Sequence, residues 1–275
     1  MRTTPRLVLA AFALLPCSAP FAQGPAPPTP GALFIVGGGK ISDSLRKEAI
    51  ALAGGAKARV AIFAQASREA SAGPETAKLF DACGAGRVDV VELGAKAKAR
   101  EVVANATLIW FGGGSQNRLM DELRRADLVE AIQARWREGA VVGGTSAGAA
   151  VMSKLMITGD EYERGRITAG STALGEGLGF LPDAIVDQHF VARGRFPRLL
   201  AAVLEHPDQL GIGIDESTAA IVEGDSLRVS GDSHVLVFDA RDANCAKSAR
   251  GELAGAENLR LHLLRPGDTL LMRPR

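Results

Sequence analysis

The residues best suited to chemistry lie in Gly143-Gly144-Thr145-Ser146-Ala147-Gly148-Ala149. Val141 and Val142 lead into this stretch and small helix formers follow it, so it reads as strand, sharp turn, helix. A side chain at the tip of such a turn projects from the carboxyl edge of a sheet, and only small neighbours such as Gly144 and Gly148 fit beside it. Ser146 is therefore the candidate nucleophile. A helix starting at about Ala147 directs its unpaired N–H groups and positive dipole end at a developing oxyanion, with the Ala147 N–H as first donor. The plain alternative is a serine that only caps the helix.

A serine nucleophile needs a base, and the chain holds four histidines. His234 and His262 fall within or at the head of short apolar strands, and His206 stands before Pro207 at a helix end; these read as structural. His189 follows the apolar strand Ala184-Ile185-Val186 in Asp187-Gln188-His189-Phe190, at the sheet edge where Ser146 should emerge. A carboxylate must then fix the imidazole tautomer. Asp215 and Glu216 both follow the strand Gly211-Ile212-Gly213-Ile214, and alternation lets one of the two face His189 without identifying which. The order serine, histidine, acid differs from the serine, acid, histidine order of α/β-hydrolases.

Two loops complete the constellation. Gly112-Gly113-Gly114-Ser115-Gln116 follows the strand ending at Phe111, and a backbone N–H there, assigned to Gly114, supplies a second oxyanion donor. No lysine follows at the phosphate-loop spacing, so a nucleotide cradle is disfavoured, and Gly37-Gly38-Gly39 reads as a tight turn packed near the site. Arg193, Arg195 and Arg198 crowd a loop without an acidic residue. Charge runs are usually solvated, but beside a catalytic histidine three guanidinium groups suit a carboxylate-rich ligand.

The elements that hold these residues alternate between strand and helix. Strands are expected at Leu33 to Val36, Val60 to Ala64, Val88 to Leu93, Thr107 to Phe111 and Val141 onward. Helices are expected from Ser42 or Asp43 to Leu52, Glu75 to Ala82, Gln116 to Arg125 and Leu128 to Arg137, with Lys96 to Val103 undecided. Strands apolar on both faces belong in a parallel sheet covered by helices, and sites gather at the carboxyl ends of such strands. Beyond Ile214 the pattern turns to short strands, with hairpin turns expected at Glu223-Gly224-Asp225 and Ser230-Gly231-Asp232. The expectation is an α/β fold, a mostly parallel sheet flanked by helices with a carboxyl-terminal antiparallel β extension.

Composition sets the outer limits. At 275 residues and 47% hydrophobic the chain can bury one large core, and 32 Lys+Arg against 31 Asp+Glu give no electrostatic footprint for nucleic acid. Arg2 and Arg6, the apolar run Leu7 to Leu15 and small residues from Ser18 to Ala22 read as a secretory signal over 1–22, followed by a Pro-rich linker over 23–30 and a single domain over 31–275. The apolar run is too short for a membrane anchor. Cys83 and Cys245 would remain in the mature chain, as a pair or as free thiols. No Cys/His cluster has metal-ligand spacing, and no cofactor is expected.

Together, Gly143 to Ala149, Asp187 to Phe190 with the three arginines, and Gly211 to Glu216 resemble the cyanophycinases, serine peptidases related to bacterial aspartyl dipeptidases. The resemblance runs from about Leu33 to Leu270. It implies a fold like the class I glutamine amidotransferases, flavodoxin-like in outline, a homodimer, and exo-cleavage of cyanophycin, an aspartate polymer carrying arginine on each side chain. It further implies Ser146, His189 and Glu216 as a triad, with Gln116, Asp187, Gln188, Arg193, Arg195 and Arg198 lining the pocket. Ser115 stands where the family usually has aspartate, and Ala64-Gln65 where it has Pro-Thr. Two other expectations stay open: a dipeptidase for aspartyl peptides, and a noncatalytic periplasmic protein that binds anionic peptides.

Overall fold

A computed structural model describes residues 29–159 and 165–272. The signal over 1–22 and all but the end of the 23–30 linker lie outside the described residues.

The amino-terminal half builds a parallel sheet by crossovers. In chain order it runs β1 (Leu33–Val36), α1 (Asp43–Leu52), β2 (Arg59–Phe63), α2 (Ala72–Ala82), β3 (Arg87–Val90), α3 (Lys96–Asn105), β4 (Leu108–Phe111), α4 (Gln116–Arg125), α5 (Val129–Arg137) and β5 (Val141–Thr145). One turn of helix, α6 (Ala147–Ala150), follows β5. A small antiparallel pair comes next, β6 (Leu155–Ile157) with β7 (Leu174–Glu176). The rest is β8 (Ala184–Gln188), α7 (Phe196–Glu205), β9 (Leu210–Ile214), β10 (Thr218–Glu223), β11 (Ser226–Gly231), β12 (Val235–Asp239), the pair β13 (Asn244–Cys245) and β14 (Ala256–Glu257), β15 (Arg260–Leu264) and β16 (Thr269–Leu271).

Two sheets carry the fold. The larger has the order β16-β11-β10-β1-β5-β4-β2-β3, parallel from β1 to β3 and antiparallel where β10, β11 and β16 extend it beyond β1. The smaller has the order β15-β12-β9-β8, parallel only between β8 and β9. This is an α/β architecture with a mixed sheet flanked by helices and antiparallel carboxyl-terminal additions.

Alternation along each strand explains the layers. Phe34 and Val36 of β1 and Trp110 of β4 face α1 and α2, meeting Leu45, Ile50 and Phe80. Leu33, Ile35 and Phe111 point the other way, into a core shared with α3 to α6 and with Val186, Ile212, Ile214 and Val237 of the smaller sheet. Helix α7 then covers the far side of that smaller sheet through Leu199 and Val203, beside Ile185 and Phe238. Strands buried on both faces account for the continuous apolar runs in the sequence.

Three expectations change. His189 and the acids do not share a sheet with Ser146, because β8 and β9 belong to the smaller sheet. The Ser230-Gly231-Asp232 turn closes no hairpin: β11 stays in the larger sheet and β12 passes to the smaller, so the turn is a crossing between layers. Lys96 to Asn105, undecided from sequence, is helical; its buried positions are Ala99 and Val103, one turn apart on an otherwise polar surface.

Candidate active site

Ser146, His189 and Glu216 meet where the carboxyl ends of β5, β8 and β9 converge. Ser146 Oγ lies 2.9 Å from His189 Nε2, and His189 Nδ1 lies 2.5 Å from Glu216 Oε1. The imidazole bridges the two, with Nδ1–H donating to the carboxylate and Nε2 accepting the serine proton when the ring is neutral.

The backbone places Ser146 under strain. Its φ of 53° and ψ of −110° fall where residues with a Cβ are rare, a conformation costing about 1–3 kcal/mol that must be held by its surroundings. Ser146 N–H donates to Val36 O at 3.1 Å, and its own carbonyl accepts from Ala149 and Ala150 at 2.9 and 3.1 Å, so the turn is tied at both ends. A Cβ at Gly148 would stand 2.3 Å from Phe111 O, which explains the glycine after the elbow. The helix that follows is a single turn, Ala147–Ala150. Four residues align too few peptide dipoles to act as a macrodipole, so any oxyanion stabilisation here comes from individual N–H groups.

His189 is held from three sides. It too has a positive φ, 48°, and its N–H donates to Gly37 O at 2.6 Å. Gly38 lies against the imidazole so closely that a Cβ there would be 2.3 Å from Cε1 and 2.5 Å from Nε2. Gly39 likewise abuts Glu216. The Gly37-Gly38-Gly39 turn is thus the roof of the site. Burial depresses the His189 pKa below that of a free histidine; the Glu216 hydrogen bond and charge oppose this, while Arg193 and Arg195 depress it further. The ring is accordingly neutral near pH 7, the form able to accept a proton.

The two acids left open by sequence separate cleanly. Glu216 faces His189. Asp215, 8% exposed, turns away and accepts from Val191 N at 3.1 Å, Ala192 N at 2.9 Å and Ser233 Oγ at 2.7 Å. Burial alone would raise the Asp215 carboxyl, but the Ala192 amide, the Ser233 hydroxyl and the amides of Glu216 and Val191 outweigh it and hold the group below the usual carboxylate range.

Around the three residues the expected pocket is partly open and partly consumed. Gln188 is buried, with Oε1 3.5 Å from Ser146 Oγ, and Gln116 is buried and donates to Ile157 O at 3.0 Å. Asp187 and Arg198 do not stand open to a ligand: they are 1% and 3% exposed and form a two-armed ion pair, Arg198 Nε to Asp187 Oδ2 at 2.7 Å and Arg198 Nη2 to Asp187 Oδ1. Arg195 donates to Gln188 O at 2.7 Å. Arg193 is exposed, and it is the member of the arginine cluster that reaches solvent furthest. The cluster thus comprises one exposed cation and two guanidinium groups engaged with the protein.

Of the loop glycines after β4, Gly113 is the one that lies against the serine. A Cβ at Gly113 would lie 3.5 Å from Ser146 Cβ and 4.0 Å from Oγ, so Gly113 flanks the serine. Gly114, with φ of 138°, packs on the backbone of Ala66 and Ser67. Sequence reasoning could not tell that Gly113 is the glycine beside Ser146, because a run of three glycines has no internal marker of register. It also missed Asp215 as an organiser of the histidine loop, although the Asp-Glu pair had drawn attention to it. Cys83 and Cys245 are both free thiols. Among the described residues no helix is long and apolar enough to cross a membrane.

Comparison with known proteins shows the family. The family model described as Peptidase family S51 matches residues 33–230. The cyanophycinase of Synechococcus elongatus is 38% identical over 233 residues, covering 80% of this chain and 72% of that protein. The cyanophycinase of Geminocystis herdmanii is 39% identical over 227 residues, covering 78% and 83%. Peptidase E of Actinobacillus pleuropneumoniae is more distant, 25% identical over 162 residues, covering 56% and 67%. Among solved structures, a peptidase from an acI-B1 actinobacterium superposes with a TM-score of 0.65 at 23% identity, covering 89% of this chain and 98% of that one, a likeness of fold. The chain is a peptidase and belongs to peptidase family S51.

Proposed function

We propose that this peptidase hydrolyses cyanophycin by a serine mechanism in which Ser146, His189 and Glu216 act as nucleophile, base and orienting acid. The observation that carries the reading is the continuous chain of contacts from Ser146 Oγ through the imidazole to Glu216. His189 Nε2 takes the serine proton as Oγ adds to the scissile carbonyl, and Glu216 holds the Nδ1–H tautomer and stabilises the imidazolium that forms. The N–H groups of Ala147 and of the Gly113–Gly114 loop receive the oxyanion. The imidazolium then protonates the leaving amine, and water attacks the acyl-serine with the same base.

Substrate choice rests on the named relatives and on charge. The cyanophycinases align over most of the chain. Exposed Arg193 offers a fork for the free α-carboxylate of the polymer's arginine, while Gln188 offers a neutral partner beside the serine and Gln116 a further amide at the start of α4. Asp187 and Arg198 serve this pocket from behind, by fixing the floor on which Gln188 and Arg195 sit. The family resemblance supports a class I glutamine amidotransferase-like, flavodoxin-like topology and a homodimer, and the leader and linker patterns in the sequence support one domain over 31–275 exported after removal of residues 1–22. Incubating the purified protein with cyanophycin and weighing the products tests the activity. Release of β-Asp-Arg dipeptides supports it; hydrolysis of aspartyl dipeptides with intact polymer would transfer the protein to the dipeptidase reading. The mass of the mature secreted chain tests export, with a first residue expected between Pro20 and Gly24.

A further inference from the structure

Asp215 is the buried ionisable group beside the site for which the mechanism above has no use. Its position in the backbone is informative. The chain reverses immediately after His189 in a turn closed by Arg193 N to His189 O at 3.0 Å and Arg195 N to Phe190 O at 2.9 Å. The open N–H ends of that turn, Val191 and Ala192, converge on Asp215 Oδ1. Asp215 Oδ2 takes the hydroxyl of Ser233, and Asp215 N donates to His234 O at 3.2 Å, fastening the same residue to the segment that enters β12.

Neighbouring residues thus clamp two arms of the site together. Residue 215 holds 191 and 192, and residue 216 holds 189. The parallel β8–β9 ladder fixes the spacing of the two arms as far as Gln188 and Ile214; beyond it, where His189 and Glu216 project, the Asp215 contacts are the side-chain tie between the arms besides the His189–Glu216 hydrogen bond itself. The His189 backbone is held in the left-handed region, and Phe190 N–H adds one bond to Ile214 O at 3.2 Å. An anionic acceptor for two successive amides is worth more than a neutral one, because charge-assisted hydrogen bonds are stronger.

Resting on the serine-peptidase reading, we propose that Asp215 is a positioning residue of the reaction: its carboxylate sets the spacing between His189 and Glu216 by pinning the turn that follows the histidine. It touches neither substrate nor the reacting atoms. Asparagine at 215 keeps the acceptor oxygen in place and can donate to Ser233, whereas glutamate keeps the charge and moves the acceptor by one methylene.

The test compares Asp215→Ala, Asp215→Asn and Asp215→Glu in the full-length mature enzyme, by kcat and KM on cyanophycin and by the downfield proton resonance of the His189 Nδ1–H bound to Glu216. Asp215→Ala should lower kcat about a hundredfold, the usual consequence of a ~1 Å misplacement, and should lose the resonance. Asp215→Asn should stay within about tenfold of the parent and keep it, because the amide oxygen still accepts from both N–H groups and only the charge assistance is lost. Should Asp215→Ala fail to fold, the ranking of the other two decides: position requires Asn above Glu, and a role for charge alone requires Glu above Asn. Asp215→Ala with parental kcat and an unmoved resonance, or Glu above Asn, overturns the proposal. Ser146→Ala, run alongside, keeps the two failures apart. If that variant retains activity the serine reading falls; if it is inactive while Asp215→Ala matches the parent, only the positioning role falls.

Discussion

Replacing Gly38 with alanine should disarm the site while leaving the fold intact, and the structure sets the size of the effect. The new Cβ would stand 2.3 Å from His189 Cε1, 2.5 Å from Nε2 and 2.8 Å from Nδ1, against an ordinary contact of 3.4 Å or more. Relief requires a separation of about 1.1 Å, and the φ of 105° at Gly38 resists moving the alanine instead. A ring shift of that size opens the Ser146 Oγ to Nε2 contact from 2.9 Å to as much as about 4 Å, beyond hydrogen-bonding range. Misplacement on this scale costs about a hundredfold in rate. The stability loss, about 1–3 kcal/mol for alanine at positive φ, is small enough for the variant to be purified. The assay is kcat on cyanophycin per titrated active site, with circular-dichroism melting as the folding control. Gly94→Ala, where an added Cβ meets nothing within 4 Å and φ is ordinary, serves as the neutral comparison. A Gly38→Ala enzyme within about threefold of the parent in kcat would refute the claim that this turn fixes the imidazole.

Three further outcomes follow from the same geometry. Because burial depresses the His189 pKa and the base must be neutral, kcat/KM should fall on acidification through a midpoint below the ordinary histidine value of about 6.5; a midpoint above it contradicts the assignment. Asp187→Asn leaves Arg198 buried without its counter-charge and should destabilise the fold by about 3–5 kcal/mol in urea titration, while a loss below about 1 kcal/mol would place that pair among the dispensable ones. Arg193→Lys keeps the charge but loses the fork, so KM on cyanophycin should rise about tenfold with kcat nearly unchanged; an unaltered KM removes Arg193 from substrate binding.

Local signals made much of this molecule legible. The boundaries of α4, Gln116 to Arg125, follow from Ser115 as N-cap, whose Oγ accepts from Arg118 N, and from buried Leu119 and Leu123 at helical spacing. The elbow at Ser146 was legible because strand, turn and small-residue helix leave a compact signature. What stayed hidden depends on partners far along the chain. Hydrogen bonding decides which sheet a strand joins, so β8 and β9 could not be assigned to the smaller sheet from their composition. The burial of Arg198 was likewise hidden: its partner Asp187 lies across the turn after His189, and a loop rich in arginine reads as solvated until that turn is closed. Choosing between Asp215 and Glu216 required a direction, which alternation along a strand end does not supply.

In the proposed mechanism Ser146 carries the covalent intermediate. Intact-mass and peptide-mapping mass spectrometry after treatment with a serine-directed phosphonate reads this directly. One adduct per chain on the peptide containing Ser146, absent from Ser146→Ala, together with loss of cyanophycin hydrolysis in that variant by several orders of magnitude, is the predicted result. An adduct at another residue, or a Ser146→Ala enzyme that still releases dipeptides at the parental rate, would contradict it.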